Sequence, residues 1–217
     1  MTLNLSKPIL YLITPGETRA DSNAANFSPL LTLVRSAAAA GFPLIQLREK
    51  SLNARALYEL TARAALLTRG TDTRLLVNDR ADIARAAGAD GVHLTSQSLE
   101  TRTVRRAFGA DFIIGVSTHS LEEARAAREQ GADFAVLGPV FDTPSKRVYG
   151  PPLGLELLSR AAQQLSPFPL LALGGVTVEN SSEALRAGAR GIAAIRLFAD
   201  PAKLDETARA IRELNIK

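Results

Sequence analysis

Apolar and polar positions alternate along this chain on two scales. Short apolar runs recur eight times, at about 9–13, 44–47, 74–77, 91–94, 112–116, 134–137, 170–173 and 192–197. Between and after them lie longer stretches rich in Ala, Leu, Arg and Glu, at about 27–40, 54–68, 81–87, 99–107, 121–130, 154–164, 178–187 and 201–214. The short runs suit buried strands, and the longer stretches carry apolar residues at helical spacing. Strict strand–helix alternation implies a parallel sheet covered by helices. Eight such units predict an α/β fold, a single (β/α)8 TIM barrel spanning residues 1–217. A doubly wound open sheet is the alternative, because strand order is not visible in a sequence. The missing early G-x-G-x-x-G turn argues against its dinucleotide-binding version.

Glycine punctuation agrees with the barrel. Ala-Ala-Gly-Phe at 39–42, Ala-Gly-Ala-Asp-Gly at 87–91, Gln-Gly-Ala-Asp-Phe at 130–134 and Ala-Gly-Ala-Arg-Gly at 187–191 each place Gly between a helix and the next strand. Glycine adopts the left-handed conformation that ends a helix without a Cβ clash, so these are helix stops. Polar residues 17–26 read as the loop before the first helix, and 142–152, with three prolines, as the longest loop and a candidate ligand lid.

In a barrel of this kind the chemistry collects at the C-terminal strand ends. The second run continues as Gln46-Leu47-Arg48-Glu49-Lys50. Residues two apart on a strand face the same way, so Gln46, Arg48 and Lys50 present an amide and two cations to one place. The other ends supply Thr14, Asn78-Asp79, residues 95–98, Ser117-Thr118-His119, Thr143, Ser145 and Lys146, Gly174-Gly175, and Arg196. Arg48, Lys50 and Lys146 around the lone carboxylate of Asp79 suggest a diphosphate held with Mg²⁺. Asp79 could instead cap the helix that follows it. Gly174-Gly175 suits close approach of a phosphate to backbone N–H groups, or a tight turn. No serine has a histidine and an acid at a recognisable motif spacing, which favours chemistry carried by leaving-group stabilisation. His93, inside a strand, reads as a buried, hydrogen-bonded imidazole. His119, just past a strand end, is the acid/base candidate, or else a helix cap.

Composition narrows the partners. Lys+Arg 26 against Asp+Glu 22 leaves +4, spread along the helices without a basic run, so a small anion fits better than nucleic acid. The absence of cysteine removes disulfides and thiolate chemistry, and two histidines make a multi-histidine metal site improbable. Neither a secretory leader nor a membrane span is expected, which points to the cytoplasm. Amphipathic outer helices are compatible with a homo-oligomer as well as a monomer.

From Leu10-Tyr11-Leu12-Ile13-Thr14 to residue 198 the chain resembles the thiamine-phosphate synthases and their thiazole-tautomerase relatives, and lies closer to the synthases. The resemblance rests on Gln46-Leu47-Arg48-Glu49-Lys50, Asn78-Asp79-Arg80, Ala89-Asp90-Gly91-Val92-His93-Leu94, Gly115-Val116-Ser117-Thr118-His119-Ser120, Gly138-Pro139-Val140-Phe141 with Thr143-Pro144-Ser145-Lys146, and Ala172-Leu173-Gly174-Gly175-Val176. It implies a transferase that joins a hydroxymethylpyrimidine diphosphate to a thiazole phosphate and releases pyrophosphate. By position, Gln46, Arg48, Lys50, Asn78, Ser117 and Lys146 would hold the pyrimidine diphosphate, and Asp79 its Mg²⁺. Thr143 and Ser145 would contact the thiazole phosphate, with Gly175 and the backbone near Ile195-Arg196 at its phosphate group. Arg48, Lys50, Lys146 and His119 are the expected catalytic groups.

Ser145 stands where the family's Thr-x-Thr-Lys pattern has its second Thr and keeps the hydroxyl, and two further departures fall at the site itself. Where the family reads Gly-Gln-x-Asp, with the Asp as second metal ligand, this chain reads Thr95-Ser96-Gln97-Ser98, so Ser98 stands at the metal. Arg196 replaces a Ser at the phosphate, either clamping it or filling its pocket. The alternatives are a tautomerase using His119 as proton shuttle and a non-catalytic protein that binds thiamine precursors.

Overall fold

The computed structural model describes residues 7–18, 27–143 and 150–214. Eight strands, β1 (Ile9–Ile13), β2 (Leu44–Leu47), β3 (Arg74–Asn78), β4 (Gly91–Leu94), β5 (Ile113–Thr118), β6 (Phe134–Leu137), β7 (Leu170–Leu173) and β8 (Gly191–Ala194), alternate with helices. The helices are α1 (Ser28–Ala39), α2 (Ala54–Thr68), α3 (Ala81–Ala86), α4 (Thr101–Phe108), α5 (Leu121–Glu129), α6 (Gly154–Leu165), α7 (Val178–Arg186) and α8 (Leu204–Arg212). Each strand pairs in parallel with its sequence neighbour, and β1 closes on β8 with Ile9 opposite Gly191. The predicted barrel is therefore the fold, and that closure excludes the open sheet.

The helix stops behave as their composition requires. Gly41, Gly88, Gly131 and Gly188 take φ of 70°, 78°, 92° and 99°, where an L side chain would be strained. Two aspartates that follow these stops stitch the strands together. Asp90 accepts from the Leu75 N–H at 2.8 Å and Asp133 from the Ile114 N–H at 2.7 Å. Asn53, Ser120 and Thr177 cap α2, α5 and α7 with their side chains.

Three strands differ in their bounds from the sequence reading. β3 reaches Asn78, which pairs with His93. β5 spans Ile113–Thr118 because Thr118, buried, donates its hydroxyl to the Val136 carbonyl. The eighth run leaves the sheet at Ala194 and turns into a 3₁₀ helix over Arg196–Phe198. That turn lets Phe198 pack edge-on against Phe42, with ring centroids 4.9 Å apart. Arg196 therefore follows the strand instead of lying on it.

Strand alternation divides the core into two layers. Ile9, Tyr11, Ile13, Leu44, Leu76, Ile113, Phe134, Val136, Leu171 and Ala193 fill the barrel. Leu10, Leu12, Ile45, Leu47, Leu75, Ala135, Leu137 and Ile192 point the other way and pack under the helices. Extending the inward set toward the C-terminal ends reaches Gln46, Asn78, His93 and Ser117. The same alternation that fills the core thus delivers polar groups to the mouth.

Candidate active site

A chain of hydrogen bonds runs across three strands at the mouth. Gln46, 2% exposed, donates its amide to Asn78 Oδ1 at 3.0 Å. Asn78 in turn donates to Asp79 Oδ2 at 2.6 Å. From the loop after β4, Thr95 Oγ1 donates to Asp79 Oδ1 at 3.2 Å, and Ser98 Oγ donates to the same oxygen in a short bond. Ser98 is itself held by the Thr95 N–H, 2.7 Å from its hydroxyl. Asp79 sits at φ 60°, a left-handed conformation that Asp tolerates better than most residues at a cost of about 1–3 kcal/mol. It does not cap α3, whose N-cap is Arg80 without a side-chain bond. The carboxylate is aimed by its neighbours and faces hard oxygen donors.

Glu49 lies on the other parity of the same segment and is 3% exposed. Its carboxylate accepts from Thr14 Oγ1 at 2.6 Å, the Gly16 N–H at 3.2 Å and the Thr18 N–H at 3.0 Å. Thr14 Oγ1 accepts from the Arg48 N–H at 2.8 Å. Glu49 therefore pins the loop after β1 against the backbone of Arg48, which is half-buried beside Gly16. The sequence reading gave Glu49 no role. Its signal was an acid on the helix-facing side of a buried strand, where it needs donors. Lys50 is exposed at the turn that follows.

Ser117, half-buried at the end of β5, is 2.9 Å from His93 Nε2, and His93 Nδ1 is 3.1 Å from the Tyr11 hydroxyl. Burial pushes the His93 pKa down to about 4, against a smaller opposing pull from Asp79, so the ring is neutral. Burial raises the Tyr11 pKa well above its usual value and keeps its hydroxyl protonated. The expectation of a buried, hydrogen-bonded His93 holds. His119, exposed, donates Nδ1–H to the Gly138 carbonyl at 2.5 Å, and its backbone N–H donates to Glu123 Oε2 at 2.7 Å. Ser120, one residue on, is the cap of α5.

On the opposite side, Arg196 donates Nη2–H to Thr143 Oγ1 at 2.6 Å, drawing the 3₁₀ helix toward the loop after β6. Thr143 is 5% exposed, Arg196 is exposed, and Ile195 packs on the barrel interior. Gly174 and Gly175 take φ of 91° and 65°. A Cβ on Gly175 would lie 2.4 Å from the Asp142 carbonyl oxygen, so this turn needs glycine to seat the β6 loop. Ser145, Lys146 and most of the expected 142–152 lid lie outside the described residues, as does most of the 17–26 loop.

Gln46, Asn78, Asp79 and Ser98 are thus joined directly; Arg48 follows the end of β2, two residues on from Gln46, and Ser117 and Arg196 reach the mouth from other strand ends. Among the described residues, no group of three or more His, Cys, Asp and Glu is placed to hold a metal. No described helix is long and apolar enough to cross a membrane.

Comparison with known proteins agrees with this geometry. Residues 10–198 match the family model described as thiamine monophosphate synthase. A putative thiamine-phosphate synthase of Geobacter sulfurreducens is 46% identical over 206 residues, 94% of this chain and 93% of that protein. A thiamine-phosphate synthase of Roseiflexus castenholzii is 41% identical over 187 residues, 86% and 79% of the two chains. The solved structure of a thiamine phosphate pyrophosphorylase from Pyrococcus furiosus superimposes with a TM-score of 0.80 at 31% identity, covering 96% of this chain and 98% of that one.

Proposed function

The chain belongs to the thiamine monophosphate synthase family, and from that membership we infer that it is a thiamine-phosphate synthase. It joins 4-amino-2-methyl-5-hydroxymethylpyrimidine diphosphate to thiazole phosphate and releases pyrophosphate. The bond between the pyrimidine methylene and the diphosphate oxygen breaks, the leaving diphosphate takes that electron pair, and the thiazole nitrogen forms the new C–N bond. Such a reaction is limited by how well charge on the leaving group is stabilised. The observation that supports this reading best is the Gln46–Asn78–Asp79 chain at the barrel mouth, with Arg48 just past the end of β2.

In this reading Gln46, Arg48, Lys50, Asn78, Ser117 and Lys146 bind the pyrimidine diphosphate. Thr143, Ser145, Gly175 and the Ile195-Arg196 turn receive the thiazole phosphate. Mg²⁺ fits the oxygen-only donor set of Asp79 and Ser98, since this ion commonly takes one or two carboxylates and completes its shell with phosphate oxygens and water. When bound, it neutralises charge on the departing diphosphate. A cytoplasmic location accords with a cysteine-free biosynthetic enzyme, and its partners are small phosphorylated substrates.

The test is a magnesium-dependent turnover assay with both substrates, following thiamine phosphate and pyrophosphate together. Equal formation of the two supports the synthase. A folded protein that binds thiazole phosphate and yields neither product would favour the tautomerase alternative, in which His119 moves the proton.

A further inference from the structure

Behind Ser117 stands a buried relay to which the reaction as written gives no task. Tyr11 is fully buried on β1, and among the described residues its hydroxyl meets His93 Nδ1, 3.1 Å away. The Tyr11 hydroxyl has one hydrogen. In the barrel interior that hydrogen either goes to Nδ1 or stays unpaired at a substantial desolvation cost. An Nδ1 that accepts it carries no hydrogen of its own, so the ring proton sits on Nε2.

The consequence passes to Ser117. Its Oγ lies 2.9 Å from Nε2, so it accepts the Nε2–H and retains its own hydrogen for another partner. Ser117 occupies the inward, half-buried end of β5, where the free side of that hydroxyl meets the mouth. The neighbourhood is shaped around the ring. A Cβ on Gly115 would come within 2.8 Å of His93 Nδ1 and 2.4 Å of Phe134 Cζ, and Phe134 packs edge-on against Tyr11 with centroids 5.4 Å apart.

We propose that Tyr11 and His93 are positioning residues: the Tyr11 O–H fixes His93 as the Nε2–H tautomer, which turns the Ser117 O–H outward as a donor to the leaving diphosphate. This rests on the synthase reading for the identity of the anion. A serine free to rotate could spend its hydrogen on His93 and meet the diphosphate with lone pairs; the relay removes that arrangement.

Two measurements test it. Nitrogen-15 NMR of the wild-type imidazole at neutral pH is expected to show a protonated Nε2 and a bare Nδ1, whereas the reverse tautomer overturns the proposal. Calorimetric binding of inorganic pyrophosphate with magnesium then compares wild type, Tyr11→Phe, Ser117→Ala and the double variant. Tyr11→Phe is expected to weaken binding by about five- to tenfold with Ser117 present and to change it little in the Ser117→Ala background. An undiminished effect in that background would mean a general packing role and overturn the proposal. So would wild-type protein that does not bind pyrophosphate. Wild-type binding without product in the turnover assay would instead overturn the synthase reading alone. Should Tyr11→Phe not fold, the wild-type tautomer decides by itself.

Discussion

Replacing Glu49 with Gln changes one atom of a buried carboxylate that accepts three hydrogen bonds. Oε1 serves both Thr14 Oγ1 and the Gly16 N–H, and Oε2 serves the Thr18 N–H. The amide keeps its oxygen on the two-donor side, because flipping would set NH₂ against the Gly16 N–H. Thr18 N–H then faces an NH₂ group and loses its acceptor. Hydrogen bonds to a charged group contribute about 1.5–3 kcal/mol and neutral ones about 0.5–1.5 kcal/mol. The lost bond is only part-buried, so water recovers some of it, and the two survivors weaken from charged to neutral. The sum is a loss of about 2–3 kcal/mol, or a fall of roughly 5–10 °C in Tm for a chain of this size. Because Thr14 Oγ1 also holds the Arg48 N–H at 2.8 Å, loosening the loop should raise KM for the pyrimidine diphosphate several-fold. Thermal melts and steady-state kinetics on the same preparation check both. A Tm within about 1 °C of wild type with unchanged KM would refute the assignment of Glu49 as the pin between β1 and β2.

Acidification should destabilise the fold before most carboxylates titrate. His93 protonates near 6.5 when unfolded and at about 4 when folded, so its stabilising contribution is complete above 6.5 and is lost as pH falls through that window. The loss is about 3 kcal/mol, and denaturant melts should show it flattened in His93→Gln. At the foot of the barrel, Arg105 donates to the carbonyls of Gly109, Phe112 and Gly131 at 2.8, 2.7 and 3.0 Å and to Asp133 at 2.6 Å. Arg105→Ala should cost about 2–4 kcal/mol, with Arg105→Lys recovering less than half because an ammonium cannot reproduce the planar fork. Equal stability of the Lys variant and wild type would contradict this. Ser98→Asp should lower the magnesium concentration for half-maximal pyrophosphate binding by about tenfold, by giving the ion a second carboxylate. Metal-free, the same variant should melt lower, since two carboxylates then face each other; calorimetry and melts read the two effects.

The chain's own pattern determined the barrel. Period-two strands, period-3.6 helices and a glycine at the end of helices α1, α3, α5 and α7 are local properties, and eight repetitions leave a parallel sheet little alternative to closure. The same locality put Gln46, Asn78 and Ser117 on the inward side at strand ends, because alternation fixes which residues face inward. What local pattern cannot carry is contact between residues far apart in sequence. Asp79 reads equally as a helix cap or a ligand until Thr95 and Ser98, 16 and 19 residues on, are seen to donate to it. Glu49 is unremarkable until the loop after β1 folds back on it, 31–35 residues away in sequence. Tyr11 and His93, separated by 82 positions, meet across the barrel only because closure brings β1 and β4 to face one interior. The direction of a single hydroxyl at Ser117 follows from that meeting, and it is decided by how few acceptors the packed interior leaves to the Tyr11 hydrogen.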